Sequence, residues 1–267
     1  GKHDVSPWVA VLLAIGIGIV LGAINGLLVA YGGVPAIITT LGTLALYRVV
    51  LVEISNAKTV TTNSLPSWVG NMPSKSLFTF QNYDLRVMAA IALTVLICGH
   101  LVLRYLPFGR RLYAIGSNPD AAKVAGLPAQ RDVFLAFVIC GALAGLGGFL
   151  YLIRFGNITV TAAQGLELQV VAAVVVGGVS TLGGQGTMFG VLLGVVLIEV
   201  LQQSLLRWSG VSEFVKDAIL GLLILIAITV DALLLGRLRD AWVNSRRKEK
   251  AQARLALAPE GAVDAND

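Results

Sequence analysis

The chain has 267 residues, 56% hydrophobic and only 13% charged, where a soluble domain carries roughly 25% charged residues. With a mean hydropathy of +0.81 and its apolar residues divided into several runs near bilayer length, it is excluded as an ordinary soluble domain and read as an all-α, polytopic transmembrane bundle. The net charge of +5 is no nucleic-acid footprint, because Lys and Arg concentrate in one loop and in the tail, where the anionic cytoplasmic leaflet accounts for them.

Seven apolar segments follow one another: Trp8–Ala30, Ala36–Val52, Val87–Leu103, Val133–Ile153, Leu166–Val179, Thr187–Leu206 and Phe214–Leu235. A hydrocarbon core about 30 Å thick needs about 20 helical residues. The fifth segment is short of that, and is expected to be a tilted half-span or a re-entrant helix whose ends are covered by protein. Between the second and third segments, Glu53–Arg86 contains Pro66, Trp68 and Pro73 among Asn, Ser and Thr, the composition of an irregular loop or of short interfacial helices. Cys98 and Cys140 fall inside apolar runs without CxxC spacing, so they are expected to be small core residues and not a disulfide or metal pair. His3 and His100 flank segment ends and read as interfacial.

The long polar loop Arg104–Arg131 carries five Lys or Arg between two apolar segments, and cationic loops resist translocation. Placing it in the cytoplasm and alternating outward puts the tail after Leu235 inside, and Glu53–Arg86 and the N-terminus outside. Inside regions then hold twelve of the 20 Lys and Arg and outside regions six, with Arg48 in the second segment and Lys216 near the outer end of the seventh. This map implies an odd number of further upstream spans if the protein starts in the cytoplasm, and a chain that opens at Gly1 before an apolar run is expected to be N-terminally short. Residues 1–235 thus form a membrane domain with its cytoplasmic loop at 104–131, and residues 236–267 a basic cytoplasmic tail that ends without order.

Within that loop, Asn118-Pro119-Asp120 reads as an N-cap followed by proline at the first helical position, opening a helix through Ala121, Ala122, Lys123 and Val124. Gly126 can close it in a left-handed conformation, and Pro128 stops continuation. A short helix with both ends specified, preceded by the basic-aromatic run Gly109–Gly116, favours a docking element over a plain connector.

Chemistry has little material. No G-x-x-x-x-G-K-[ST] occurs, so the chain holds no P-loop of its own, and no nucleophile, base and orienter set or metal-ligand cluster is present. The run Gly177–Gly190 has the wrong spacing for a dinucleotide loop and joins two apolar segments. Its glycines are expected to let backbones approach closely. Polar residues at membrane depth are the candidates for a solute path: Glu199, Gln202 and Gln203 on the sixth segment, and Gln164 and Glu167 at the start of the fifth. Arg48 is placed to snorkel.

Three stretches, FGRRLYAIGSNPDAAKVAGLPAQR, GALAGLGGFLYLIRFG and GLELQVVAAVVVGGVSTLGGQGTMFGVLLGVVL, together with GAINGLLVAYGGVPAIITTLGT near the start, resemble the permease subunits of ribose-type monosaccharide ABC importers. That family is grouped with the branched-chain amino acid permeases. The resemblance implies a type II-like importer permease of about ten spans in a bacterial inner membrane, working as a homo- or heterodimer. A cytosolic ABC ATPase, which holds the ATP and magnesium, would lie beneath it and a periplasmic sugar-binding protein above, with no cofactor on this chain. By the same resemblance Gly109, Arg110, Arg111, Tyr113, Ala114, Gly116, Asn118, Ala121, Ala122 and Gly126 belong to the segment that couples to the ATPase. Where relatives carry an Asn-rich run, this chain has Gln202-Gln203-Ser204-Leu205-Leu206, so the sugar itself does not carry over. The loop and Ile226–Leu233 lean toward the rhamnose or furanose-autoinducer branches. The alternatives are a branched-chain amino acid permease of the same class, an ion-coupled secondary carrier, and a membrane protein without transport.

Overall fold

The computed structural model describes residues 6–61, 65, 66, 68, 69, 76–80, 83–181, 183–207 and nine positions between 215 and 229. Their helices are α1 (Pro7–Ala30), α2 (Ala36–Ser55), α3 (Val87–Tyr105), α4 (Pro107–Ser117), α5 (Pro119–Val124), α6 (Ala129–Phe155), α7 (Leu166–Val176) and α8 (Met188–Arg207). Five of these, α1, α2, α3, α6 and α8, are long and apolar enough to cross a membrane. The seventh apolar segment lies largely outside the described residues, as do His3 and the basic tail.

Two expectations are corrected. Inside Glu53–Arg86, expected as an irregular loop or short helices, strands β1 (Ser76–Phe80) and β2 (Tyr83–Arg86) pair antiparallel, with Phe78 opposite Leu85 and an irregularity between Ser76 and Phe78. Both strands are rich in aromatic and alternating residues, a period-2 signal that the flanking prolines obscured. The cysteines are not core residues either: Cys98 on α3 and Cys140 on α6 are both exposed on their helices.

The described residues fall into two compact units, one within 1–167 and 182–189, the other within 168–181 and 190–267. In the first, the most extensive helix contact is between α1 and α6. Gly18, Gly22 and Gly26 recur every four residues on one stripe of α1 and are buried there. They run antiparallel against Gly145, Gly141 and Phe137 of α6. A methyl group at Gly22 would lie 2.5 Å from the Phe137 carbonyl oxygen, and one at Gly26 3.0 Å from the Phe134 ring. Gly18 and Gly141 meet backbone to backbone even more closely. Lipid tails are as apolar as leucine, so helices in a bilayer associate by close packing, and glycine at this spacing permits it.

Antiparallel packing sorts the first unit into two ends. At one, Tyr31 after α1 meets Phe134 near the start of α6, ring centroids 6.0 Å apart. At the other, Val60 and Ile158 form a two-residue β-bridge, Trp68 lies 6.2 Å from Phe149, and Val69 is 1% exposed. The loop Arg104–Arg131 folds at the Tyr31 end, the sorting that charge alternation requires. In the second unit, Ala172 and Ala173 of α7 pack on Ile198 of α8, with Leu223 against them. Here too glycine sets the distance: a methyl at Gly177 would stand 2.6 Å from the Gly190 carbonyl oxygen.

Replacing Gly22 or Gly141 with Leu should separate α1 from α6 at a cost above the ~1–3 kcal/mol of ordinary overpacking, because the obstacle is backbone. The same change at Gly16 or Gly147, where nothing stands within 4 Å, should be tolerated. Thermal melting of the detergent-solubilised protein measures both.

Candidate functional site

Two places concentrate polar and conformational specificity, and the first is the loop end of the first unit. After α3 the chain reverses at Leu106, and α4 starts on Pro107, which presets φ and needs no hydrogen-bond acceptor there. The reversal is tight because position 109 is glycine, where a methyl would fall 2.5 Å from the Leu103 Cα. The run Gly109–Gly116, read from sequence as a basic-aromatic approach, is therefore part of a helix of its own.

Arg111 of α4 reaches Asp132 in the first turn of α6 with two parallel bonds, Nε to Oδ2 at 2.6 Å and Nη2 to Oδ1 at 3.1 Å. Asp132 is 0% exposed. A buried carboxylate needs a paired, hydrogen-bonded partner, and the planar guanidinium fork supplies both acceptor sites at once. The hydrogen bond to Asp132, and secondarily its charge, hold the Arg111 guanidinium above its ordinary pKa against partial desolvation, so it stays cationic at any pH the protein meets. The sequence reading had placed Arg111 among groups offered to a partner; its fork is in fact spent inside the chain. Asp132 was missed, and the signal was available: a lone acid beside Arg131 at the start of a long apolar segment.

Two further contacts tie α4 to the glycine run before α8. The Tyr113 hydroxyl donates to the Gly186 carbonyl at 2.8 Å, and a methyl at Gly116 would lie 2.6 Å from the Gly184 nitrogen. Gly183 and Gly184 hold φ of +92° and +77°, a conformation L side chains rarely adopt.

The short helix α5 forms as its caps predict. Asn118 Oδ1 accepts from the Ala121 N–H at 3.0 Å, Pro119 is the first helical residue, and Gly126 turns left-handed at φ +72° while the Leu127 N–H returns to the Ala122 carbonyl at 3.0 Å. Ala122 is buried. Arg110, Ala114, Asn118, Ala121 and Gly126 are exposed, whereas Gly109, Arg111, Tyr113 and Gly116 turn inward to a greater or lesser degree. The residue that stands out was not singled out from sequence: Val124, an aliphatic side chain on a polar loop, is 91% exposed.

The second place lies at membrane depth in the first unit. A cavity of about 400 Å³ opens between α1, α2 and α6, with Asn25, Thr40 and Tyr47 as its polar side chains and Gly22, Cys140 and Gly141 in its wall. The Tyr47 hydroxyl donates to the Leu21 carbonyl at 3.1 Å, with Asn25 Oδ1 3.4 Å away as a second acceptor. Thr40 returns its hydroxyl to the Ala36 carbonyl at 2.9 Å.

None of the five residues expected on a solute path lines this cavity. Gln164 and Glu167 are exposed around the start of α7. Glu199 and Gln203 are exposed on α8, in the second unit, and Gln202 one turn beyond Glu199 keeps a buried Nε2 without a hydrogen-bond partner. Among the described residues there is no group of three or more His, Cys, Asp or Glu able to hold a metal ion.

The family profile described as "Branched-chain amino acid transport system / permease component" matches residues 2–228. The chain belongs to this permease family. The permease is 36% identical over 223 residues to a probable ABC transporter permease protein, y4mJ, of Sinorhizobium fredii, covering 83% of this chain and 65% of the relative. It is 34% identical over 236 residues to the autoinducer 2 import system permease protein LsrC of Klebsiella pneumoniae, covering 88% of this chain and 64% of that one. LsrC of Yersinia enterocolitica is 32% identical over 261 residues, covering 96% of this chain and 68% of its own. The permease thus spans just under two thirds of the length of the first two. No solved structure matches it.

Replacing Arg111 with Ala strands a buried carboxylate and should release α4 from α6, raising the rate of proteolytic cleavage in the loop by roughly tenfold or more. Arg111→Lys should rescue this only in part, since a point charge cannot make both bonds. Limited proteolysis of the folded permease in detergent reads both outcomes.

Proposed function

We propose that this permease is the membrane subunit of an ATP-driven, binding-protein-dependent monosaccharide importer, and that α4 and α5 form the platform on which a separate ATPase acts. Membership in the permease family supports the class, and the relatives named as ABC transporter and autoinducer 2 import permeases support import of a small solute. The observation that carries the coupling role is local: a doubly capped helix projects an almost fully exposed Val124 from a base locked to α6 by Arg111 and Asp132. A single exposed aliphatic side chain is ordinary on a protein surface; what supports docking here is that Val124 sits on a short helix with both ends capped and a fixed base.

In this reading the loop Arg104–Arg131 faces the cytoplasm of a bacterium and the multi-pass chain lies in the inner membrane. The spans belong to a family bundle of about ten. ATP and magnesium sit on the partner ATPase, a periplasmic binding protein delivers the sugar on the opposite side, and a second permease copy or paralogue completes the path. Closure of the ATPase pushes α5, and the stiff connection from α4 to α6 and to the loop 183–187 passes the displacement to the spans. Ala122, buried beneath α5, holds the helix in shape, and Ala121, Val124 and Gly126 face outward to the partner.

The family description supports a second reading, a permease for branched-chain amino acids. Binding of sugar or of leucine by the cognate binding protein separates the two.

Val124→Asp should lower ATP-driven uptake by about tenfold or more while leaving membrane insertion and the melting temperature unchanged, because it desolvates a charge at the contact and touches nothing inside the chain. Uptake and ATPase activity are read in vesicles carrying the complete transporter. Unchanged coupling in that variant removes the docking role from α5, and uptake that persists after ATP depletion with ion gradients intact removes the ATP-driven class.

A further inference from the structure

We infer that the cavity between α1, α2 and α6 is a hydrated subsite for an uncharged, polyhydroxylated solute, with Asn25 and Tyr47 as its contacts. The inference rests on the transport reading above and goes beyond it by naming the residues and the solute chemistry.

Asn25 lies in a span whose other side chains are nearly all apolar. Its carboxamide is half-buried. Its oxygen lies 3.4 Å from the Tyr47 oxygen, whose one proton goes to the Leu21 carbonyl, and among the described residues the two Nδ2 hydrogens have no acceptor. In hydrocarbon such an unfilled donor pair is costly, and helices avoid it unless a partner or a water-filled space is present. The Tyr47 oxygen, having given its proton to Leu21, keeps acceptor capacity on the same wall. A neutral donor pair beside a neutral acceptor matches a sugar hydroxyl, which both donates and accepts. A zwitterionic amino acid would find no acidic or basic side chain in this lining.

The volume agrees: about 400 Å³ falls within the roughly 300–1,000 Å³ of small-molecule pockets. Gly22 and Gly141 of the α1–α6 seam are among the residues that line the same cavity. Interhelical hydrogen bonding between Tyr47 and Asn25 would serve packing alone if the space were dry, so hydration is the point to test.

Nature supplies the reporter, because Cys140 lines the cavity while Cys98 is exposed on a different helix outside it. A thiol reacts as thiolate, which needs water, so a cationic, membrane-impermeant methanethiosulfonate should modify Cys140 roughly tenfold or more faster than Cys98 in full-length permease reconstituted in liposomes. Excess of mixed ribose, rhamnose, xylose and glucose should slow labelling of Cys140 several-fold, and equal leucine should not. Tyr47→Phe, which keeps the ring, and Asn25→Leu should each abolish sugar protection without changing Cys98. Equal rates at the two cysteines overturn the hydrated cavity. Absent protection, or protection by leucine as strong as by sugar, overturns the solute assignment. Should Cys140 be silent while ATP-driven uptake continues, the subsite falls and the transport function stands; loss of ATP dependence with protection retained separates them the other way.

Discussion

Backbone touches backbone where α1 crosses α6, and the rest of the first unit is arranged around that seam. In a bilayer the gain from burying apolar side chains against one another is small, since lipid is an equal solvent for them. Contact must come from fit. Glycines at 18, 22 and 26 on one helix and 141 and 145 on the other bring two main chains closer than any side chain allows. The seam fixes which ends of the two helices coincide, so Tyr31 and Asp132 share one end of the unit. Beside the seam, Asn25, Thr40 and Tyr47 line the cavity between α1, α2 and α6.

A second constraint acts at the loop end. Asp132 is fully buried and ionised chemistry there demands a partner, which Arg111 provides through two bonds. Gly109 lets α4 fold back on α3, while Gly116 and the Tyr113 hydroxyl anchor the same helix to the glycine run before α8. The consequence is a helix held at three points. That makes α4 a fixed support for α5 and not a slack connector.

Several features were legible in the chain itself. The first six apolar segments are helices with boundaries within a few residues of those expected, because apolar runs in lipid satisfy their backbone groups as helices. The helix α5 followed from Asn118, Pro119 and Gly126, each of which acts through its own local backbone. Other features were not legible for equally local reasons. The helix α4 was hidden by its two glycines, which lower helix propensity, and it is stabilised by tertiary contacts. The hairpin Ser76–Arg86 lay among prolines that dominated the composition. The cavity between α1, α2 and α6 was not legible either, because Asn25 and Tyr47 are single polar residues on different segments, 22 positions apart.

Composition, segment length and capping residues by themselves determined a polytopic helical membrane protein with a cationic loop on one side and a short, doubly capped helix within it. These depend on solvation and on nearest neighbours, which a linear chain encodes directly. Only the tertiary structure decided that Arg111 is spent on Asp132, that the glycines of α1 and α6 meet, and that Asn25, Thr40 and Tyr47 face a common space. Those are relations between residues 15 to more than 100 positions apart, set by the close approach of whole helices, and no local rule of sequence contains them.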